Sequence, residues 1–343
     1  MRDKLLFTPD FGESDSYHFN LSLKYFLSDS LKKNSIPFWT NSLSGGYPLF
    51  SESQIGSLFL PNIIFLKFLH FTDGYTLLFI FAFICLTVGF FLLLREFEIG
   101  LLISIFMSIM LAFNGAISLR WVHLNLIQTF SLIPFCFFVS LMYLRSHRLR
   151  YVLTLSFLVS QMFFAGHVQV IFIGMLGLII WVFLHEITDK KSLKEIIIEI
   201  GFICCAFILG IVIALPQILP TYLLSQQATR SFQLDYQLTT SFPLTWSHLK
   251  SFFDPFPFGN PQNGTYPVYS ANWGIFWENT PYLGRFFLPM LCIALFYLQK
   301  AVLRKKIIIY GILFSIFTLL ALGKNSPLYF VFNFFPFNLF RTP

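Results

Sequence analysis

Residues 75–94 read YTLLFIFAFICLTVGFFLLL and are followed by Arg95. The run holds no charged side chain and is long enough to cross a bilayer as a helix, which takes about 20 apolar residues. Similar runs follow at 100–118, 123–144, 151–166, 168–185, 196–219, 282–299 and 307–322. Those at 151–166 and 168–185 are short and nearly continuous, with Gly166-His167 between them. The whole chain agrees with this pattern: of 343 residues 56% are hydrophobic, 20% aromatic and only 11% charged, and mean hydropathy is +0.71. A soluble domain carries about 25% charged residues. The expected fold is therefore all-α, a polytopic membrane protein with about seven or eight transmembrane helices.

Loop charge orients these spans. Arg95 follows the first, Arg145, Arg148 and Arg150 the third, Lys190, Lys191 and Lys194 the fifth, and Lys300, Arg304, Lys305 and Lys306 the seventh. Every second loop is basic, and the positive-inside rule places such loops in the cytoplasm. The opposite side receives residues 1–74, the Arg120–His123 turn, Gly166-His167, the 221–281 loop and the stretch after Lys324. The net charge of +7 thus reports topology, not a nucleic-acid partner. Cys85, Cys136, Cys204, Cys205 and Cys292 all lie in apolar runs without metal-ligand spacing and read as small apolar residues.

Four regions result: 1–74, 75–220, 221–281 and 282–343. The first is an extracytoplasmic region with an amphipathic helix at 17–33 and a short or re-entrant helix at 56–70, where Pro61 and Lys67 interrupt the apolar run. The second is a transmembrane bundle. The third is a long loop whose aromatics, interspersed with prolines, predict a folded cap, because plain disorder is poor in aromatics. The last holds further helices and the tail 327–340, broken by Pro327 and Pro336. Residues 1–74 lie outside with no export signal before them, and the chain stops at FNLFRTP. It therefore reads as an internal piece of a longer protein.

Chemistry-bearing residues gather on the extracytoplasmic side. Asp10, Glu13 and Asp15 form a carboxylate cluster able to hold a divalent cation through oxygen ligands or to supply a general base. The competing reading of the same residues is a solvated loop in which Ser14 or Asp15 caps the following helix. Arg120, His123, His167 and Gln169 sit at span ends on that side, where a cation suits a lipid phosphate. Interfacial snorkelling is the competing account for Arg120, and a structural role for the two histidines. Arg230, Asp254 and Glu278 lie in the long loop. Asn263-Gly264-Thr265 fits a glycosylation acceptor pattern.

The ordered series DFGESD, then IPFWTNSLSGGYPLFSESQIGSLFLPN at 36–62, AGHVQ at 165–169, LPQILPT at 215–221, DPFPFG at 254–259, FWENTPYLG at 276–284 and FRTP at 340–343 resembles bacterial YfhO-type membrane proteins. Their first external loop carries an Asp, a Pro-Leu-Trp-Asn segment, Gly-Gly-x-Pro and Pro-x-Asn; here Pro61-Asn62 lacks the intervening residue. That resemblance implies a GT-C-like glycosyltransferase of the bacterial cytoplasmic membrane. Such an enzyme transfers a sugar from a polyprenyl-phosphate donor to a cell-envelope glycan, lipid or protein acceptor on the extracytoplasmic face. By position it implies Asp15, then Asp10, as the essential acid, holding Mg or Mn or activating the acceptor hydroxyl. It also implies Arg120, Arg230 and Arg341 for the lipid phosphate, with His123, His167, Gln169 and Glu278 at the same site. A flippase for a lipid-linked glycan, or a non-catalytic truncated protein, is the alternative. A transporter predicts ionisable groups at mid-span, and the span centres are nearly free of charge.

Overall fold

A computed structural model describes residues 16–43, 45–227, 235–267, 275–297 and 301–340. Among the described residues the α-helices, in chain order, are α1 Ser22–Lys32, α2 Leu60–Phe68, α3 Phe71–Glu96, α4 Leu101–Ala112, α5 Gly115–Ser118, α6 Leu124–Ser131, α7 Ile133–Ser146, α8 Leu149–Ala165, α9 Val168–Thr188, α10 Leu193–Gln226, α11 Tyr236–Thr239, α12 Phe276–Asn279, α13 Phe287–Tyr297 and α14 Ala301–Ala321. Among the described residues the extended structure is a single bridge, Thr40 to Tyr47. Five helical stretches there are long and apolar enough to cross a membrane: Phe71–Glu96, Leu101–Ser118, Leu124–Ser146, Val168–Thr188 and Leu193–Gln226. The chain is a helical, multi-pass membrane protein.

The differences from the expected spans have local causes. The 100–118 run divides into α4 and α5, where Asn114 turns the chain and its side chain accepts from Ile117 N at 3.0 Å. The 123–144 run divides into α6 and α7 at Leu132, because Pro134 in the first turn of α7 has no N–H to continue the helix before it. The stretch at 151–166 is α8, which ends where Gly166 adopts φ +91°, a left-handed cap. At the far end α10 begins with a reciprocal Ser192–Glu195 cap and runs on past the expected boundary at 219, through Pro216 and Pro220, to Gln226. Gln217 and Thr221, beside these prolines, donate to Phe50 O and Ser51 O. Near 282–299 stands α13. Near 307–322 stands α14, whose first turns carry Arg304, Lys305 and Lys306.

The chain forms two compact units. The first comprises residues 1–112, 120–179 and 192–227. Within it α8 and α10 approach so closely that a Cβ on Gly210 would lie 2.6 Å from Val159 Cγ1 and 2.8 Å from the Ser156 carbonyl; small residues permit such contacts between membrane helices. At one end of this bundle Arg145 pairs with Glu96, and His147 approaches the buried Glu199 at 3.9 Å. The opposite end, where α6 and α9 begin and α8 ends, receives the turn 40–62.

The second unit comprises 113–119, 180–191 and 228–343. Its described part of the long loop is folded. His248 is buried, its Nδ1 accepting from Thr245 N at 3.0 Å, and its ring lies 5.3 Å from that of Phe258. Phe256 stacks on Phe276 at 5.9 Å, and Tyr266 meets Phe276 edge-on at 5.1 Å. Leu244 N bonds to Ala321 O at 2.9 Å, and Asn325 Nδ2 to Leu244 O at the same distance. Gly115 N donates to Tyr282 O at 2.7 Å.

Candidate functional site

The site is built on backbone that is not helical. After Thr40 pairs with Tyr47 in both directions (2.9 and 2.8 Å), the chain enters two short 3-10 turns, 49–51 and 53–55, before α2 starts at Leu60. Leu49, Ile55, Gly56, Ser57, Phe59 and Asn62 are all buried. Unpaired carbonyls in such a place are costly, and side chains from the surrounding helices satisfy them. Gln217 on α10 donates to Phe50 O at 2.9 Å and Thr221 to Ser51 O at 2.9 Å. Lys24 on α1 donates to Ile55 O at 2.6 Å. Asn62 donates to Gly56 O at 3.0 Å and itself accepts from Gln128 on α6 at 2.8 Å. Gln161 on α8 accepts from Leu60 N at 3.1 Å. Two glycines allow the approach. A Cβ on Gly166 would lie 2.1 Å from Ser53 O, and one on Gly56 2.4 Å from Asn62 Nδ2; both glycines have positive φ.

Tyr47, Glu52 and Gln54 are half-buried along this stretch. Glu52 accepts from Tyr47 Oη at 3.0 Å and from Gln54 N at 3.4 Å. Desolvation and the neighbouring Glu52 push the Tyr47 phenol up to about 12. Gln54 Oε1 accepts from Asn125 Nδ2 at 3.3 Å. Because Ser53 lies against Gly166 and Gln54 against Asn125, the turn sits beside His167, next to Gly166, and His123, two residues before Asn125.

Arg120, His123 and His167, expected together from the sequence, are brought together within this unit. Each is half-buried. Burial is the main cause of a low His167 pKa, and the neighbouring His123 and Arg120 add to it, so the imidazole titrates at about 4. His167 Nδ1 accepts from Val170 N at 3.4 Å at the start of α9, so the neutral ring carries its proton on Nε2 and offers a donor there. A permanent guanidinium beside a neutral imidazole donor suits an anionic oxygen. Such a histidine is not a proton donor in acid–base chemistry near neutral pH. Gln169 is half-buried in the first turn of α9. Glu278 belongs to the second unit, half-buried on α12 with its N–H bonded to Ile275 O at 3.0 Å. Asp10, Asp15, Arg230 and Arg341 lie outside the described residues, as do Glu13 and the proposed cap Ser14.

A hard divalent cation takes six or more oxygen ligands, usually several carboxylates. The carboxylates expected to hold one, Asp10 and Asp15, lie outside the described residues. Around the turn the described groups include Glu52, both of whose oxygens accept hydrogen bonds, from Tyr47 Oη and Gln54 N. A different grouping stands in the second unit. His185, Glu186 and Asp189 at the end of α9 have ligand atoms within 4.8 Å of one another. Glu186 is 1% exposed and is paired with Lys191, with His185 Nδ1 at 3.0 Å. That pairing accounts for the carboxylate without an ion.

Sequence reasoning did not single out Lys24, Glu52, Gln54, Asn125, Gln128 or Gln161. A weak signal existed: an amide inside an apolar run, as in LNLIQT at 124–129 and VSQMFF at 159–164, needs a partner when buried. Comparison of the chain with protein-family models, with curated proteins and with solved structures finds no match.

Proposed function

We propose that this protein is a membrane-embedded glycosyltransferase. It moves a sugar from a polyprenyl-phosphate donor to a cell-envelope acceptor on the extracytoplasmic face of the bacterial cytoplasmic membrane. The observation that carries the reading is the grouping of Arg120, His123 and His167 beside a buried turn whose backbone is held in place from four helices. Departure of a sugar from a lipid phosphate builds negative charge on the phosphate oxygens, and preorganised donors stabilise that charge. In this reading Arg120 supplies the fixed positive charge and His167 Nε2–H a neutral hydrogen bond. Asp15, with Asp10 second, is the acid that prepares the acceptor hydroxyl, by its likeness in position to the essential acid of the YfhO-type proteins. Arg230, Glu278 and Arg341 complete the expected set.

The test is a transfer assay with a radiolabelled polyprenyl-phosphate sugar in proteoliposomes, comparing wild type with Arg120→Gln and Asp15→Asn. Arg120→Gln is expected to lower kcat/KM by about a hundredfold, the loss of one charge-assisted contact to the transition state. Asp15→Asn is expected to abolish transfer while the protein still inserts and folds. Full transfer by both variants overturns the reading.

A further inference from the structure

Lys24 lies on the inner face of α1 and is 0% exposed. Its Nζ donates to Ile55 O at 2.6 Å, and the turn is so close that a Cβ on Gly56 would lie 3.1 Å from Nζ. An ammonium group has three donors, yet the acceptor found for Lys24 among the described residues is that one carbonyl. No carboxylate pairs with it there. Burial with no counter-charge among the described residues favours the neutral amine, and it pushes Lys24 down to about 7 from an ordinary 10.5.

The ionisable neighbours do not change this. On α1 itself, Asp29 is exposed and paired with Lys33 at 2.6 Å; Tyr25 and Lys32 are exposed too. The turn before α1 carries Tyr17 and His18 in sequence. From the packed elements come Lys67 on α2, Asp73 and Tyr75 on α3, and Glu52, whose oxygens are engaged by Tyr47 and Gln54.

We propose that Lys24 is a proton-linked latch: its amine holds the Glu52–Gly56 turn closed against α1, and opening of that contact takes up one proton from solvent. The sign follows from linkage. When closed, the amine is neutral above about 7; when open to water, it is charged up to its ordinary value. Each rise of one pH unit within that window therefore makes opening about tenfold harder. Below about 7 both forms carry the proton and the dependence ends. The latch governs the site directly, because the turn it holds carries Glu52 and Gln54, and Gln54 is bonded to Asn125 beside His123. Nothing in this proposal rests on the transferase reading.

The test is amide hydrogen exchange on the whole chain in lipid nanodiscs, from about pH 7 to pH 9.5, following peptides from 22–32 and 49–62. Once the base-catalysed rise in intrinsic exchange is corrected for, the wild-type opening constant is expected to fall about tenfold per unit. In Lys24→Met it is expected to be independent of pH. Glu52→Gln and Tyr75→Phe are expected to keep the wild-type slope. A wild-type opening constant that does not change with pH overturns the proposal without any variant, as does a wild-type slope retained in Lys24→Met. Should Lys24→Met not fold, Lys24→Gln makes the same comparison, since it keeps an N–H for Ile55 O and cannot titrate. Loss of the slope in Glu52→Gln or Tyr75→Phe would equally overturn the assignment to Lys24.

Discussion

The turn at 49–62 and the end of α9 both bury polar groups, and they do it by opposite means. At the turn, backbone carbonyls are satisfied by uncharged amides and a hydroxyl, from Gln217, Asn62 and Thr221, and by the Lys24 amine. At the end of α9 a buried carboxylate, Glu186, is held by Lys191 and His185. Neutral partners carry a modest desolvation penalty and are favourable one bond at a time, about 1 kcal/mol each. An ion pair requires two large desolvation terms to be offset by one attraction, so it is marginal when intact and very unfavourable when half-removed. The first arrangement spreads its stability over many bonds. The second centres it on one buried carboxylate.

The sharpest way to break the turn is through space, not through a bond. Gly166→Ala would place a Cβ 2.1 Å from Ser53 O at a residue with φ +91°. The expected loss is about 4 kcal/mol or more, measured as little or no folded protein recovered by size-exclusion chromatography in detergent. A variant of wild-type melting temperature would show that the turn does not rest on Gly166. The charged region breaks at a single side chain. Lys191→Met removes the lysine partner of the buried Glu186 and is expected to destabilise by about 3 kcal/mol. Adding Glu186→Gln should recover most of that in thermal unfolding. Failure of the double variant to recover would mean that Lys191 acts by packing instead. The smallest effect is expected where stability is shared. Gln217→Ala removes the donor to Phe50 O and should lower stability by about 1–2 kcal/mol, leaving the protein folded. A loss equal to that of Lys191→Met would erase the distinction between the two regions.

Helical class and membrane character were legible in the sequence, as were the helix boundary at Gly166 and a short helix within 56–70, which is α2 at Leu60–Phe68 with Pro61 in its first turn. Each depends on local composition or on one residue's backbone preference. The amphipathic helix expected at 17–33 is α1 at Ser22–Lys32, preceded by a π-helical turn, Ser16–Leu21. The continuation of α10 through two prolines was not legible, because an interior proline removes a helix donor and reads locally as a helix end. Among candidate site residues, Arg120, His123 and His167 stand out in the sequence because they are ionisable residues at span ends beside apolar runs. Glu52, Gln54 and Asn125 do not, since a polar residue in a polar loop, or an amide beside one, looks ordinary until its partner is known.

The sequence by itself determined that this chain must be helical and must live in a membrane: apolar runs of this length can satisfy their backbone in lipid only by coiling on themselves. Only the tertiary structure decided that a stretch without α-helix, residues 49–59, packs among those helices, and which side chains make that possible. Intrahelical hydrogen bonding is a property of neighbours along the chain. The partners of a buried turn come from α1, α6, α8 and α10, and no local pattern in the sequence specifies which residues of those helices will meet it.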